Sequence, residues 1–330
     1  MTMRSDVALF LQSMQASGQP PLDSLPLPEM RAAFAALGRI ANAAAPPIAV
    51  TRDIAIPAPG LTIAARLFDR REHRGATPIV VFFHGGGFVF GGLDSHAPLC
   101  AQIADRLDLP VLAIDYRLAP EHPFPAAADD AEEAVRWVAS SPDALGMRIT
   151  GVATCGDSAG GNLAVVAIRR LAADHGPVPG IAQGLMYPYT GADLTGASAD
   201  AYGEGHVLTR AAIDMFERRY AAPRGDPRFD LLAAPWCADV PVVVQTAALD
   251  PLRDQGLALA AAARAAGSRV IQLEAAGMIH GFATLAGAIP SAMDDINAFI
   301  DAFATLVNER VVHTRPTTAS SSTNTADRSV

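Results

Sequence analysis

Cysteine is scarce in this sequence, and it contains no long apolar run. The three cysteines, Cys100, Cys155 and Cys237, are scattered and include no C-x-x-C pair, so neither a disulfide framework nor a zinc site is predicted. No stretch approaches the roughly 18 consecutive apolar residues of a membrane span. The first 15 residues carry polar side chains inside their apolar stretch and lack a small-residue cleavage pattern, which predicts an amphipathic helix rather than a signal peptide. A reducing cytoplasm is the expected location.

Basic residues are also in short supply relative to acidic ones. The 330 residues include 25 Lys and Arg against 34 Asp and Glu, so the formal net charge is −9. An excess of negative charge disfavours binding to nucleic acid and to anionic membranes, because both are themselves negatively charged. We therefore expect neither a nucleic-acid nor a membrane partner. Half of the residues are apolar, which suffices for one large core, with or without a small lid.

Short apolar segments alternate with amphipathic ones from residue 49 onward, and no internal repeat is present. This alternation predicts an α/β protein with a mostly parallel sheet covered by helices on both faces. The predicted strands are 49–56, 61–68, 79–83, 111–115, 149–155, 182–188, 240–247 and 269–274. The predicted helices are 6–16, 28–42, 96–108, 126–140, 158–174, 209–221, 252–266 and 290–309.

The same pattern divides the chain into five segments. Residues 1–48 precede the first strands and are expected to form an N-terminal cap segment. Residues 49–188 and 240–310 are the two parts of the core, and the glycine-containing insertion 189–239 is expected to complete the cap. Residues 311–330 are rich in Ser and Thr with little to bury, so we predict a disordered tail.

The candidate nucleophile is Ser158, in the sequence Gly-Asp-Ser-Ala-Gly between a predicted strand and a predicted helix. This setting is the one required of a G-x-S-x-G nucleophile elbow. Gly156 and Gly160 allow the two arms of the tight turn to approach, and the helix directs its first N–H groups at the developing negative charge. An ordinary turn before a helix is the alternative. Asp157 is expected to form hydrogen bonds within the turn rather than to act as the catalytic acid.

A second motif, His-Gly-Gly-Gly at 84–87, follows the predicted strand 79–83. Successive glycines leave backbone N–H groups free to point at a ligand oxygen. A dinucleotide-binding loop is excluded by spacing, because the third glycine of G-x-G-x-x-G would fall at Phe90. Upstream of G-x-S-x-G, the motif matches the loop that completes an oxyanion hole. The predicted donors are the amides of Gly85, Gly86 and Ala159.

The order nucleophile, acid, histidine restricts the candidate base to histidines after Ser158. Four follow it: His175, His206, His280 and His313. His175 ends the helix that starts at the nucleophile, about 25 Å away at about 1.5 Å per residue. His206 lies in the predicted insertion and His313 in the predicted tail, so His280 remains. His84 precedes the nucleophile and is predicted to orient the glycine loop.

The catalytic acid should lie at the carboxyl end of the preceding strand, where Asp250 follows 240–247. Asp250 would accept the ring N–H of His280, fix its tautomer and stabilise the imidazolium. Asp254 is the second candidate, but its position one turn into a helix favours a capping or surface role.

Five motifs occur in the order found in a known family: HGGGFVFG (84–91), DYRLAPEHPFPAA (115–127), GDSAGGN (156–162), DPLRDQG (250–256) and HGF (280–282). From about residue 50 to 305 the sequence resembles the hormone-sensitive-lipase-like bacterial esterases, in their GDSAG branch. The resemblance implies an α/β-hydrolase fold with an eight-stranded core and a helical cap, no metal or organic cofactor, a preference for short to medium acyl chains, and often a homodimer. It assigns a scaffold role to Asp115, Arg117, Glu121 and His122.

The expected function is hydrolysis of small-molecule carboxylic esters through an acyl-enzyme intermediate. An amidase, formamidase or lactonase with the same triad is the alternative among enzymes. A non-catalytic ligand-binding homologue is the alternative outside them, and it predicts a damaged triad. Candidates for an apolar substrate pocket are Met14, Phe88, Phe90, Tyr189, Val207, Leu208 and Phe282, with ordinary core packing as the alternative for each.

Overall fold

A single eight-stranded sheet organises the molecule. The computed structural model describes residues 2–314 except 19, 22–23 and 177. The strand order is β1-β2-β4-β3-β5-β6-β7-β8, and every pairing from β4 to β8 is parallel. The strands are β1 (Val50–Ala58), β2 (Leu61–Asp69), β3 (Thr77–Phe83), β4 (Val111–Asp115), β5 (Ile149–Asp157), β6 (Gly180–Met186), β7 (Val242–Leu249) and β8 (Val270–Ile279). The predicted α/β architecture, with a mostly parallel sheet of eight strands, is confirmed.

The first two strands form an antiparallel hairpin at one edge of the sheet. Ala58 pairs with Leu61, so the turn consists of Pro59 and Gly60, and Gly60 has a φ of 76°. Proline fixes the first turn position and glycine accepts the positive φ of the second, which is the chemistry of a type II turn. Only the two pairings of β2 are antiparallel, with β1 and with β4.

Helices cover both faces of the sheet and create two apolar cores. One core packs α4, α5 and α8 against one face, and the other packs α3 and α9 against the opposite face. All residues of β7 are buried, as expected for a central parallel strand with helices on both sides. In the described part of the chain the helices are α1 (Ser5–Ala16), α2 (Leu27–Ala41), α3 (Leu93–Leu107), α4 (Ala126–Ala139), α5 (Ala159–Ala173), α6 (Ala197–Tyr202), α7 (Arg210–Tyr220), α8 (Arg253–Ala265) and α9 (Ala292–Thr314).

Several elements differ from the sequence expectation, among them β8, which continues to Ile279 beyond the predicted end at 274. Helix α9 continues to Thr314, so residues 311–314 of the predicted tail are helical. Each residue added to a formed helix gains a backbone hydrogen bond. Pro316 is the first proline after the start of α9, and a proline disfavours helical backbone angles in the residue before it. The remainder of the predicted tail, 315–330, lies outside the described residues. Helix α6 was not predicted, because six residues are too few to show helical periodicity.

The N-terminal segment and the insertion after β6 meet above the glycine loop. Arg31 of α2 donates to the carbonyl oxygens of Val89 (2.8 Å) and Ala119 (3.1 Å). The Phe90 ring lies between Phe34 of α2 (centroids 4.3 Å apart) and Phe216 of α7 (5.2 Å). These contacts place α2 and α7 against the glycine loop, whereas α1 packs in the opposite core. The boundaries of a cap stay a prediction.

Within the described residues, no helix is both long and apolar enough to cross a membrane.

Candidate active site

The site lies where the order of the strands reverses. The chain passes from β3 to β4 on one side of β3 and then returns to place β5 on its other side. The carboxyl ends of β3 and β5 are adjacent, because Phe83 pairs with Gly156. In open α/β sheets the crevice at such a reversal is the common ligand site. The glycine loop and Ser158, which follow these two strands, therefore meet in it.

Ser158 occupies a strained turn between β5 and α5. Its φ is 53° and its ψ is −120°, a combination that L-residues adopt only when surrounding contacts hold them there. A Cβ atom on Gly160 would overlap the carbonyl oxygen of Phe83, and one on Gly156 would overlap the backbone of Gly160. The Ser158 N–H donates to the Met186 carbonyl oxygen at 2.9 Å. The tight packing of this turn explains both glycines of the motif.

Asp250 and His280 leave neighbouring strands side by side. Leu249 and Ile279 are register partners of β7 and β8, and each candidate residue is the next one along its strand. His280 Nδ1 lies 2.7 Å from Asp250 Oδ2, and His280 Nε2 lies 2.9 Å from Ser158 Oγ. The structure therefore brings together the three residues predicted as the triad, in the order that a nucleophile, a base and an orienting acid require.

The two acidic candidates have different surroundings. Asp250 is fully buried, and its second carboxylate oxygen accepts the Leu252 N–H at 2.8 Å. Asp254 instead accepts the Ser198 N–H at 2.9 Å, in the first turn of α6. A carboxylate there stabilises the free amides of a helix start. Asp254 thus caps α6, a helix that the sequence did not predict, and not the helix in which it lies.

One of the predicted oxyanion donors is already occupied. The Gly85 N–H donates to Asp157 Oδ1 at 2.8 Å, so the prediction of Gly85 as a donor to substrate is wrong. No hydrogen bond within the described part of the chain uses the amides of Gly86, Gly87 or Ala159. Gly86 and Ala159 therefore remain candidates, and Gly87 joins them.

Gly86 and Gly87 each have a conformation and a neighbour that demand glycine. Their φ angles are 123° and 59°. A Cβ on Gly86 would overlap the Phe90 carbonyl, and one on Gly87 would overlap the Phe216 ring. The sequence showed three successive glycines but could not show which amide a buried carboxylate would take, since that carboxylate is 72 residues away in the chain.

A buried polar cluster lies behind the glycine loop, and sequence reasoning missed its member His96. His96 Nε2 lies 3.1 Å from Asp157 Oδ1. Burial alone would raise the pKa of the Asp157 carboxyl, but the His96 charge and the hydrogen bonds from His96 and Gly85 bring that pKa below its usual value. His84 stacks on Tyr116 with ring centroids 4.2 Å apart, and its Nδ1 lies 2.8 Å from the Gly85 carbonyl oxygen.

A small cavity opens beside Ser158. Of the predicted pocket residues, Phe88, Tyr189 and Leu208 line it. Its other lining residues are Gly87, Ser158, Ala159, Ile213, Phe216, Glu217, Tyr220, Phe229 and Leu252. Ile213, Phe216 and Tyr220 of α7 line the cavity with apolar surface, a role that the sequence did not suggest.

The other pocket predictions are wrong. Phe90 lies behind the cavity wall, where it packs on Phe34 and Phe216. Phe282 belongs to the opposite core, where its ring packs on Tyr187, and Tyr187 in turn packs on His280 (centroids 4.7 Å apart). Val207 and Met14 are exposed. Apolar character did not separate these positions, because wall, core and surface all use the same side chains.

One wall of the cavity carries a carboxylate. Glu217 Oε1 accepts the Tyr189 hydroxyl, and Glu217 Oε2 accepts Arg224 Nη2 at 2.6 Å. Burial and the Glu217 charge raise the pKa of the Tyr189 phenol. The carboxylate is thus satisfied by protein donors, and the rest of the lining is mainly apolar.

The segment 115–127 connects the sheet to the helix behind the site. Asp130 of α4 accepts the Arg117 N–H at 2.8 Å and pairs with its guanidinium at 2.8 Å. Glu121 pairs with Arg31 of α2 at 2.8 Å, whereas His122 is exposed. In the described residues no group of three His, Cys, Asp or Glu side chains is arranged to hold a metal ion.

The chain is similar in sequence to known proteins. A family profile described as "alpha/beta hydrolase fold" matches residues 80–284. The chain is 42% identical over 244 residues to a carboxylic ester hydrolase, LipN, of Mycobacterium tuberculosis, an alignment that covers 71% of this chain and 64% of that relative's length. It is 33% identical over 313 residues to an ethyl acetate hydrolase of Pseudomonas putida, covering 92% of this chain and 98% of the relative.

The fold of the chain is also similar to the folds of solved structures. A hyperthermophilic esterase of the archaeon Pyrobaculum calidifontis superimposes with a TM-score of 0.83 at 33% identity, covering 92% of this chain and 98% of that one. An ester hydrolase from the metagenome of Lake Arreo, in complex with a bipyridine phosphonate derivative, gives a TM-score of 0.86 at 31% identity, with 92% and 99% covered.

Fold and site together define an α/β-hydrolase with a serine placed for nucleophilic attack. The chain belongs to the alpha/beta-hydrolase family matched over 80–284, and its resemblance to the hormone-sensitive-lipase-like esterases is confirmed. The prediction of an enzyme of the carboxylic ester hydrolase class is confirmed, because the similar proteins are named carboxylic ester hydrolases and carboxylesterases.

Proposed function

We propose that this chain is a serine carboxylesterase that hydrolyses esters of short to medium acyl chains through an acyl-enzyme. The observation that carries the proposal is the continuous contact from Asp250 through His280 to Ser158 at 2.7 and 2.9 Å. The named activities of the similar proteins, carboxylic ester hydrolase and ethyl acetate hydrolase, support the same reaction class.

The residues divide the reaction between them. His280 Nε2 takes the Ser158 proton as the hydroxyl oxygen attacks the ester carbonyl carbon, and Asp250 stabilises the resulting imidazolium. The amides of Gly86, Gly87 and Ala159 hold the oxyanion of the tetrahedral intermediate. His280 then protonates the departing alcohol. Water attacks the acyl-enzyme by the same route, which releases the acid and restores the serine.

The cavity beside Ser158 favours uncharged acyl groups of modest size. Aromatic and aliphatic side chains line it, with Phe88 stacked on Tyr220 at a centroid distance of 4.0 Å. An apolar wall binds methylene groups, whereas a carboxylate-bearing acyl chain would meet the Glu217 charge. The Phe216 ring of α7 is part of the lining, so it takes up space that a longer acyl chain would need.

Ser158→Ala tests the proposal. The wild type should hydrolyse p-nitrophenyl butyrate and take up one equivalent of a fluorophosphonate at Ser158, located by peptide mass spectrometry. The alanine variant should lose at least about 1,000-fold in kcat and remain unlabelled, because loss of the nucleophile removes the covalent route. Retention of most of the activity by this variant would contradict the assignment. An unlabelled wild type would favour a non-catalytic binding protein.

Amidase, formamidase and lactonase activities use the same triad and differ in the leaving group. A panel of p-nitrophenyl esters, p-nitroanilides and γ-lactones at equal concentration separates them, and we expect the esters to have the highest kcat/KM.

The predicted homodimer and the predicted cytoplasmic location stay predictions. Light scattering on the purified protein tests the first, and cell fractionation tests the second.

A further inference from the structure

Both ends of the glycine loop are joined to the nucleophile turn by one path of hydrogen bonds, which is buried at Asp157 and partly buried at Ser95. At the start of the loop, the Gly85 N–H donates to Asp157 Oδ1 at 2.8 Å. The same oxygen lies 3.1 Å from His96 Nε2. His96 Nδ1 lies 2.9 Å from Ser95 Oγ, which accepts the N–H of Gly92 at 3.1 Å at the end of the loop.

We propose that Asp157 and His96 are positioning residues, which hold the loop 85–92 at the distance from Ser158 that transition-state stabilisation needs. The inference rests on the proposed esterase function and deepens it. Neither side chain lines the cavity, and each is almost completely buried. They act through the loop, not on the substrate.

The loop needs such support because its own backbone provides little. Gly86, Gly87, Phe88, Gly91 and Gly92 all have positive φ angles. Such conformations are maintained only when neighbouring contacts define them. Within the loop, the Gly86 carbonyl accepts the N–H groups of Val89 and Phe90. The middle of the loop is held from outside by Arg31 and by the Ala119 N–H, which donate to the carbonyls of Val89 and Phe88, and the path through Asp157 and His96 holds the two ends.

Asp157 connects the nucleophile turn to the loop, because it precedes Ser158 in the chain and accepts the Gly85 N–H. It is the residue before Ser158, so its carboxylate moves with the strained turn. A Cβ on Gly85 would overlap Asp157 Oδ2, which shows how closely the loop lies against that carboxylate. The charge of His96 and the hydrogen bonds from His96 and Gly85 oppose the burial penalty and keep the pKa of Asp157 low, so it remains an acceptor for the Gly85 amide.

The expected size of the effect follows from the geometry of oxyanion stabilisation. Donors act when they lie about 2.7–3.1 Å from the oxyanion, and loss of a single donor lowers kcat by about 100-fold to 1,000-fold. A displacement of about 1 Å in a positioning group produces a loss near 100-fold. Ground-state binding depends mainly on the apolar cavity and should change little.

The experiment compares Asp157→Ala and His96→Phe with the conservative variants Asp157→Asn and His96→Gln. Asn keeps an oxygen that accepts the Gly85 amide, and Gln keeps a nitrogen donor near the place of His96 Nε2. Active sites are titrated to completion with a fluorophosphonate, so that kcat for p-nitrophenyl butyrate is expressed per reactive serine. The melting temperature is recorded for every variant.

The control is Asp69→Asn, which breaks a buried ion pair elsewhere. Asp69 lies 2.6 Å from Arg74 and is as buried as His96. It is located at the end of β2, where Phe68 pairs with the first residue of β4. Asp69 therefore lies near the amino ends of the parallel strands, whereas Ser158 follows the carboxyl end of β5. This variant should lower the melting temperature and leave kcat per reactive serine unchanged.

Asp157→Ala and His96→Phe should lose about 100-fold in kcat per reactive serine with KM changed by less than about threefold. Asn and Gln should recover at least about tenfold of that loss. Unchanged kcat with a lower melting temperature would show a purely stabilising pair and overturn the inference, as would a rise in KM alone. If Asp157→Ala does not fold, the two His96 variants decide. An inactive wild type would refute the proposed function, whereas an active wild type with unaffected variants would refute only this inference.

Discussion

At the scale of single residues, His84 belongs to the His-Gly-Gly-Gly motif but has no role as an acid or base in the proposed reaction. Its ring is fully buried against Tyr116, and its Nδ1 faces the Gly85 carbonyl oxygen at 2.8 Å. Its Nε2 has no hydrogen-bond partner among the described residues. Burial and the nearby charge of His96 lower the pKa of His84 to about 3. The side chain is therefore neutral across the working range of an esterase and cannot serve as an acid near neutral pH.

This burial predicts a dependence of stability on pH. An unfolded histidine binds a proton below about pH 6.5, whereas folded His84 does so only near about 3. The unfolded state therefore gains protons first, and stability falls as the pH drops from about 6.5 towards 3. The slope from this one group approaches about 1.4 kcal/mol per pH unit. Urea unfolding of wild type and His84→Gln at pH 7.5, 6.0 and 5.0 measures it.

The stability of wild type should fall more steeply with acid than that of His84→Gln. The exposed His73 offers a matched control, since His73→Gln should leave the wild-type slope intact. Parallel curves for wild type and His84→Gln would contradict the prediction.

Site residues were predictable from sequence where the determinant is local. Ser158, Asp250 and His280 each follow a strand, and the chain order of the motifs selected them. The structure places His280 2.7 Å from Asp250 and 2.9 Å from Ser158. Gly85 and His96 were not predictable in this way. The amide of Gly85 is taken by a carboxylate from another strand, and His96 meets that same carboxylate only after β3, β5 and α3 have packed.

At the scale of elements, α7 determines the shape of the cavity. Thr209 caps the helix, because its Oγ accepts the Ala212 N–H at 3.1 Å. Ile213, Phe216 and Tyr220 follow at helical spacing and share the face that lines the cavity. Helical periodicity identified this helix, but the identity of its partner surface came only from the packing of the insertion on the glycine loop.

Phe216→Ala should shift the preference of the enzyme towards longer acyl chains. Removal of the ring enlarges an apolar cavity, and the ratio of kcat/KM for p-nitrophenyl octanoate to that for the butyrate should rise about tenfold. The comparison uses Arg218→Ala, an exposed residue of the same helix, which should leave the ratio unchanged. An unchanged ratio in Phe216→Ala would place the acyl chain elsewhere.

At the scale of the whole molecule, the N-terminal residues fasten the part of the chain that carries His280. Arg4 Nε donates to the Ala276 carbonyl oxygen at 2.7 Å, and its guanidinium pairs with Asp295 at 2.7 Å. Asp6 accepts the Ser291 N–H at 2.9 Å. These bonds connect α1 to the end of β8 and the start of α9, across more than 270 residues of sequence.

Arg4→Ala should lower the free energy of unfolding by about 1–2 kcal/mol, because it leaves the largely buried Asp295 without its charged partner. Arg106→Ala removes the more exposed pair with Asp301 and should change stability by less than about 0.5 kcal/mol. Urea denaturation of both variants makes the comparison. Equal effects would mean that the Arg4 contacts do not stabilise the fold.

The sequence by itself determined the alternation of strands and helices, the strand–turn–helix setting of Ser158, and the order that selected His280 and Asp250. These features follow from local chemistry: apolar periodicity, glycine at a strained turn, and residues placed just after strands. Only the tertiary structure decided that Gly87 rather than Gly85 has a free amide, that α7 lines the cavity, and that His96 faces Asp157. Each of these depends on which distant segments come into contact, and long-range packing creates such contacts without a local signature.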